Sequence, residues 1–166
     1  GEAIQLSTPQ GLPSAQAAHL LVDSHNALWI ATAGGLSRWA NSKLTSWTTA
    51  NGLATNNLAA LCQTPDGRIW AAGKSARLSV WDAKQFTTLA LGTLPPGAAV
   101  QALAAASDGT VWAGTTAGLV ARQADGNERR YLPADGLADD DVCALTMAAQ
   151  NTLWAGTRDG FSRIRA

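Results

Sequence analysis

The sequence predicts an all-β fold built from four copies of one four-stranded unit. Its most regular feature is a short apolar run containing tryptophan, which occurs four times. The tryptophans of the four runs, Trp29, Trp70, Trp112 and Trp154, are separated by 41, 42 and 42 residues. Each run is too short for a helix, is preceded by a turn dipeptide and is followed by glycine, and this pattern is typical of a β-strand. A fixed period of about 40–45 residues made of strands is typical of the blades of a β-propeller.

A turn signal in front of each tryptophan run makes that run the second strand of a hairpin. Asx-Gly pairs favour the type I′ turn, because both of its central residues need positive φ and Gly and Asn tolerate that best. We therefore expect a β-hairpin of this type in every repeat. The dipeptides are His25-Asn26, Asp66-Gly67, Asp108-Gly109 and Gln150-Asn151.

Two further strands follow each hairpin, so that every repeat holds four antiparallel strands, here called a, b, c and d. Strand b carries the tryptophan, and strand a carries a leucine nine residues before it. Four blades are predicted, at about 15–48, 57–90, 99–132 and 142–164. The leucines of strand a are Leu20, Leu61, Leu103 and Leu145.

The fourth repeat ends at strand c, and residues 4–8 form a strand-like piece with nothing upstream to pair with. Their continuation, Leu6–Leu12, parallels the end of strand d in repeat one, Trp47–Leu53. We therefore expect this N-terminal strand to complete the last blade, which removes two exposed sheet edges. Three arrangements fit: a closed four-bladed ring, an eight-bladed ring of two chains with exchanged end strands, or four repeats of a longer array.

These motifs resemble the two-component regulator propeller repeat. The matching stretches in repeat one are Gly11-Leu12-Pro13, Leu21-Val22-Asp23, Leu28–Thr32 and Gly34–Trp39, and repeats three and four also match well. Repeat two departs at Lys74–Arg77, where it carries one extra residue. The resemblance implies the extracytoplasmic sensor region of a bacterial signalling protein, and hence a periplasmic location.

Composition argues against two classes of partner. Formal net charge is zero and 14% of the residues are charged, so no global field attracts nucleic acid or an anionic membrane. No apolar run approaches the ~20 residues that span a bilayer, so direct membrane insertion is not expected. Cys62 and Cys143 lie eight and eleven residues before their tryptophans. These offsets face opposite ways on an alternating strand, which predicts two buried free thiols and no disulfide.

No pattern in the chain points to catalysis, a metal or a cofactor. His19 and His25 belong to one blade at different heights, whereas a propeller lyase needs a base and a metal carboxylate across one face. The acidic run Asp139–Asp141 lacks the spacing of a calcium loop and reads as a solvated loop. We predict a non-enzymatic propeller that senses a ligand or binds a partner. The alternatives are a self-associating or protein-binding scaffold and, more distantly, a lyase.

The four repeated tryptophans and the four leucines are expected to pack between blades, because burying so large a ring removes ~150–250 Å² of surface from water. Function is expected on the d–a and b–c loops, which emerge on one side of the channel. Their mixed charges and amides suit a small polar ligand, a glycan or a peptide, and a homodimer is a further expectation. The candidate binding residues are Asn56, Asn57, Lys74, Arg77, Asp139, Asp140, Asp141, Arg158 and Asp159.

Overall fold

The structure is a computed structural model, and it describes residues 4–149 and 151–165. These residues form fifteen β-strands and three short 3₁₀ turns. No helix in this part of the chain has the length and apolar character needed to cross a membrane. The predicted all-β propeller class is confirmed.

Four antiparallel sheets follow one another along the chain, and in each the strands pair in sequence order. Blade 1 comprises β1 (Ala17–Val22), β2 (Leu28–Thr32), β3 (Gly35–Ala40) and β4 (Lys43–Trp47). Blade 2 comprises β5 (Leu58–Gln63), β6 (Ile69–Gly73), β7 (Arg77–Trp81) and β8 (Phe86–Ala90). Blade 3 comprises β9 (Val100–Ala105), β10 (Val111–Thr115), β11 (Gly118–Arg122) and β12 (Glu128–Tyr131). Blade 4 comprises β13 (Val142–Ala148), β14 (Thr152–Thr157) and β15 (Gly160–Arg165).

The hairpins are present, but the predicted type I′ turn is wrong. In blade 1 the N–H of Asn26 donates to the carbonyl of Asp23 at 2.9 Å, and only Asn26, with φ 61°, is left-handed in the turn. Gly67 and Gly109 repeat this with φ of 85° and 87°. A type I turn followed by one left-handed residue is the common three-residue hairpin loop. Gln150, which belongs to the fourth turn dipeptide, lies outside the described residues.

Adjacent blades pack through three apolar clusters, one at each junction. The prediction for the core is confirmed at the inner positions: Trp29, Trp70 and Trp112 are only 1%, 8% and 2% exposed. Leu61 and Leu103 are also buried. Each of these three tryptophans faces the following blade, so its ring covers strands a and b of that blade.

The two ends of the row of blades are not joined. The innermost strands are neighbours in the order β1, β5, β9, β13, and no comparable packing links β13 back to β1. Leu20 is consequently 58% exposed and Trp154 is only partly buried, while Leu145 is partly buried against the third junction. The core prediction is therefore wrong for Leu20, because the blade that would cover it is not there. The four blades form an open arc and not a closed four-bladed ring.

The predicted N-terminal strand is also wrong, although its alignment with strand d holds for the turn that follows. Residues 4–7 have no regular structure, and Thr8–Gln10 form a 3₁₀ turn closed by left-handed Gly11 at φ 102°. Thr49–Asn51 and Gly52 at φ 98° form the same turn between blades 1 and 2. A strand needs a sheet edge to pair with, and the free edge, β15, lies at the other end of the arc. Blade 4 therefore has three strands.

Candidate functional site

The d–a and b–c loops meet at one edge of every blade. The residue after strand b donates its N–H to the carbonyl of the residue just before strand a, so two positions per blade are held together around the channel. The four pairs are Ala33 to Gln16 at 3.1 Å, Lys74 to Asn57 at 3.0 Å, Thr116 to Ala99 at 3.0 Å and Arg158 to Asp141 at 3.3 Å. Four of the predicted binding residues, Asn57, Lys74, Asp141 and Arg158, occupy these positions.

Blade 2 departs from its neighbours at this edge. Thr115 of blade 3 pins its b–c loop by donating from Oγ1 to the carbonyl of Gly118 at 2.7 Å. Blade 2 has Gly73 at the same place, and a Cβ there would lie 1.9 Å from the carbonyl oxygen of Asn57. Only glycine permits this close approach of two backbones. The longer loop that follows leaves Lys74 exposed at the mouth of the channel.

A cavity of about 350 Å³ opens beside Lys74 and spans blades 2, 3 and 4. We name its polar lining, together with one thiol, the channel site: Asn57, Lys74, Gln101, Thr116 and Cys143. Alanines and Val100 form the rest of the wall. Lys74 makes no ion pair with any described residue, so its ammonium group is free to bind an anion.

The carboxylate that contacts the channel site through Gln101 is already neutralised. Asp141 forms an ion pair with Arg158 and accepts a hydrogen bond from Nε2 of Gln101. Its own backbone N–H donates to Oδ1 of Asp139 at 2.7 Å. Lys74 is therefore the uncompensated charge of the channel site.

The other predicted site residues do not line this cavity. Asn56 accepts from the N–H of Thr49 at 2.7 Å, and the carbonyl of Asp140 accepts from Gly118 at 2.6 Å, so these two residues, like Asp139, hold loop backbone. Arg77, the first residue of β7, and Asp159, on the b–c loop of blade 4, are exposed and lie outside the cavity lining.

Sequence reasoning missed Gln101, Thr116 and Cys143. Gln101 and Cys143 each lie eleven residues before the tryptophan of their repeat, so aligning the repeats by that offset would have placed both side chains on the channel. Both cysteines are free, as expected, but the prediction that both are buried is wrong for Cys143. Cys143 lies on the innermost strand and faces the channel, whereas burial raises the pKa of Cys62 to about 12.

A second cavity, of about 320 Å³, lies on the opposite side of the arc between blades 2 and 3. Both of its cations are paired, Arg68 with Asp66 at 3.4 Å and Arg122 with Glu128 at 2.6 Å, and its remaining charge is the exposed carboxylate of Asp108. Burial alone would raise the pKa of Asp66, but hydrogen bonds from the Thr64 hydroxyl and the Arg68 N–H, with the Arg68 charge, lower it overall. Because neither cation is free, this cavity is a weaker candidate for an anionic ligand than the channel site.

The histidines have structural surroundings. Nδ1 of His19 accepts the N–H of Leu61 at 2.9 Å across the first blade junction, and burial lowers the pKa of His19, which favours the neutral ring that this bond requires. His25 lies in the a–b turn, 3.4 Å from the Ser24 hydroxyl. In residues 4–149 and 151–165, no three His, Cys, Asp or Glu side chains form a group that could hold a metal ion.

Comparison with solved structures identifies the architecture. The extracellular domain of BT3049 from B. thetaiotaomicron, a proposed hybrid two-component system, superposes with a TM-score of 0.83 over 98% of this chain at 17% identity. The extracellular domain of BT4673, a proposed hybrid two-component system from the same organism, superposes with a TM-score of 0.80 over 97% of this chain at 20% identity. A catalytically inactive virginiamycin B lyase from Staphylococcus aureus with quinupristin gives 0.68 over 91% at 17% identity. The chain has a propeller fold.

The chain covers only part of each of these matched structures. The chain spans 23% of each of the two extracellular domains and 56% of the lyase. No family model and no curated protein sequence matches the chain. At these identities the comparisons establish the fold, and function has to be argued from the site.

Proposed function

We infer that this chain is part of an extracytoplasmic, non-enzymatic sensor propeller of a bacterial signalling protein, and that its ligand binds at the channel site. The observation that supports this is the similarity to two extracellular domains of proposed hybrid two-component systems over 97% and 98% of the chain. The repeat resemblance in the sequence points to the same class of protein.

The channel site suits a small ligand that carries a carboxylate and other polar groups. Lys74 supplies an unpaired positive charge, and Asn57 and Thr116 supply an amide and a hydroxyl group. The volume of about 350 Å³ falls in the range of ligand pockets. An acidic sugar fits this chemistry better than a neutral one, because only the acidic sugar compensates Lys74.

Calorimetry with D-glucuronate, D-glucose and the dipeptide Gly-Gly as probes tests this function. We expect D-glucuronate to bind better than D-glucose, and Lys74→Ala to weaken its binding about tenfold, the equivalent of about 1.4 kcal/mol. Lys84→Ala is the matched control, because Lys84 is an exposed lysine in the β7–β8 loop and lies outside the channel site. Absence of binding by all three probes, or equal losses in the two variants, would contradict the proposal.

The similarity to a lyase supports an enzyme as the second candidate. Against it, Nδ1 of His19 is engaged by Leu61, and His25 lies in the a–b turn beyond the end of the strand that carries His19. Incubating the chain with quinupristin decides between them. We expect the compound to remain intact, and its consumption, abolished by His19→Ala or His25→Ala, would establish the enzyme.

A further inference from the structure

Gln101 lines the channel site and reaches from blade 3 to the loop that precedes blade 4. Its Nε2 donates to Oδ1 of Asp141 and lies 3.5 Å from the carbonyl oxygen of Val142, so two acceptor oxygens face the amino group. With the amide turned over, Oε1 would lie against these two oxygens with no hydrogen between them. The orientation of the Gln101 amide is therefore fixed by its surroundings.

The acceptor that fixes this amide is itself held in place. Asp141 is ion-paired with Arg158, and its backbone N–H donates to Oδ1 of Asp139 at 2.7 Å. The two paired residues are also joined through their backbones, because the N–H of Arg158 donates to the carbonyl of Asp141 at 3.3 Å. Asp141 and Arg158 therefore act as positioning residues for Gln101, and their charges compensate each other.

The side-chain oxygen of Gln101 is left for a ligand. No described residue donates a hydrogen bond to Oε1 of Gln101. The atom is also accessible, because Nε1 of Trp112 is the one buried side-chain nitrogen or oxygen without a partner in the described residues. The equivalent positions of the other repeats have no such oxygen, since they hold Ala18, Ala59 and Cys143. Gln101 thus gives the channel site one hydrogen-bond acceptor of fixed orientation.

The other polar groups of the channel site are donors or can turn to suit a ligand. Lys74 provides an ammonium group that makes no ion pair with a described residue. Oγ1 of Thr116 accepts from the N–H of Ala99 at 3.1 Å, which leaves the hydroxyl hydrogen of Thr116 to donate. Asn57 bonds to described residues through its backbone only, so either end of its side-chain amide can face a ligand.

Building on the function proposed for the channel site, we propose that Gln101 determines the class of ligand: a hydroxylated carboxylate, whose carboxylate binds Lys74 and whose hydroxyl group donates to Oε1 of Gln101. A carboxylate without a donor would leave this oxygen desolvated and unpaired, which weakens binding. An ammonium group is less suitable than a hydroxyl group, because Arg158 already compensates Asp141 and no counter-charge remains for it.

Calorimetry with two ring carboxylates tests the inference, because D-glucuronate carries hydroxyl groups and cyclohexanecarboxylate carries none. Gln101→Met keeps the length of the side chain and removes its polar atoms. We expect this variant to bind D-glucuronate about fivefold more weakly and cyclohexanecarboxylate within about twofold of the wild type. Gln85→Met, at an exposed position in the β7–β8 loop outside the channel site, is the matched control and should change neither affinity.

The outcomes separate this inference from the function on which it rests. Equal losses for the two carboxylates, or no loss of D-glucuronate binding in Gln101→Met, would overturn the role of Gln101 and leave the proposed function standing. Failure of the wild type to bind either carboxylate would overturn the proposed function as well. The dipeptide Gly-Gly, which carries an ammonium group, should bind more weakly than D-glucuronate, and tighter binding would overturn the preference for a hydroxyl group.

The positioning role is tested by removing the ion pair as a unit. Asp141→Ala combined with Arg158→Ala removes two opposite charges and leaves the net charge unchanged. We expect D-glucuronate to bind about threefold more weakly, because the Gln101 amide is then free to turn over. In a Gln101→Met background the same two substitutions should change the affinity less than about twofold. A loss of equal size in both backgrounds, or no loss in either, would overturn the positioning role.

Discussion

The first and third blade junctions place the same residue in different polar surroundings. Nε1 of Trp29 donates to Oδ2 of Asp23 at 2.8 Å. Nε1 of Trp112, equally buried, has no hydrogen-bond partner among the described residues. The residue six positions before the tryptophan makes the difference, because it is Asp23 in blade 1 and Ala106 in blade 3. The repeat fixes where the ring lies, and a separate position decides whether its N–H is satisfied.

The two junctions also differ in what surrounds the ring. Trp29 stacks on Trp47 at 5.6 Å and lies 6.2 Å from Trp81, whereas Trp112 has one aromatic neighbour, Tyr131 at 5.6 Å. The outer-strand tryptophans Trp47 and Trp81 are therefore partly buried packing residues of the first junction. Blade junctions of one architecture can thus be built from aromatic or from aliphatic partners.

The largest expected effect comes from removing the rings. Trp29→Ala and Trp112→Ala should each lower the free energy of unfolding by about 3–5 kcal/mol, because a buried aromatic is lost and a cavity remains. Trp154→Ala should cost about 1 kcal/mol or less, since that ring is only partly buried and no described blade packs beyond it. Urea unfolding of the wild type and the three variants measures the difference. Equal losses would show that Trp154 is packed like the tryptophans of the junctions.

Removing the acceptor comes next in size. Asp23→Ala should cost about 2–3 kcal/mol, because Nε1 of Trp29 and the N–H groups of Ala27 and His25 lose their partner. Asp108→Ala, which removes an exposed carboxylate that accepts one N–H at 2.9 Å, is the control and should cost less. A loss no larger than that of the control would contradict the role given to Asp23.

The same carboxylate should make the first junction sensitive to acid. Burial alone would raise the pKa of Asp23, but hydrogen bonds from Trp29, Ala27 and His25, with the charge of Arg38, lower it below the ordinary 3.8. A carboxyl whose pKa is lower in the folded state stabilises the protein fully above pH 3.8, and this is lost as the pH falls through the folded value. Unfolding free energies of wild type and Asp23→Asn, measured against pH, should converge in acid. A constant difference between the two free energies at every pH would contradict this role of the Asp23 carboxylate.

The smallest effect should be a gain. In blade 2 the hydroxyl of Thr64 accepts a hydrogen bond from the indole Nε1 of Trp70 at 3.1 Å. Ala106 is the equivalent residue of blade 3. Its backbone N–H donates to the carbonyl of Thr110 at 2.9 Å, as that of Thr64 donates to the carbonyl of Arg68 at 3.1 Å, so the two residues have the same backbone position in the turn. Ala106→Thr should therefore satisfy Trp112 and raise the free energy of unfolding by about 1 kcal/mol. Thr64→Ala should produce the opposite change, and a destabilising Ala106→Thr would show that blade 3 has no room for the hydroxyl group.

Much of the fold and two of the five channel-site residues, Asn57 and Lys74, were predictable because they depend on residues within one repeat. Alternation along a strand and the fixed tryptophan spacing determine strands, hairpins and the inner core. The polar positions at Asn57, Lys74, Asp141 and Arg158 follow from the loop order of a blade. Gln101, Thr116 and Cys143 were missed because another repeat has alanine at the equivalent position, so the repeat pattern does not mark that position as polar.

The sequence by itself determined the blades, the side of the channel on which the loops lie and the position of each tryptophan, because local alternation and turn chemistry act over a few residues. Only the tertiary structure decided which of these identical positions are buried. Leu20 and Leu61 occupy the same place in their repeats, yet one is 58% and the other 2% exposed. Burial depends on the neighbouring blade, and residues 4–7 likewise need a sheet edge before they can form a strand. The partner of a surface is a property of the assembly and is not encoded within one repeat.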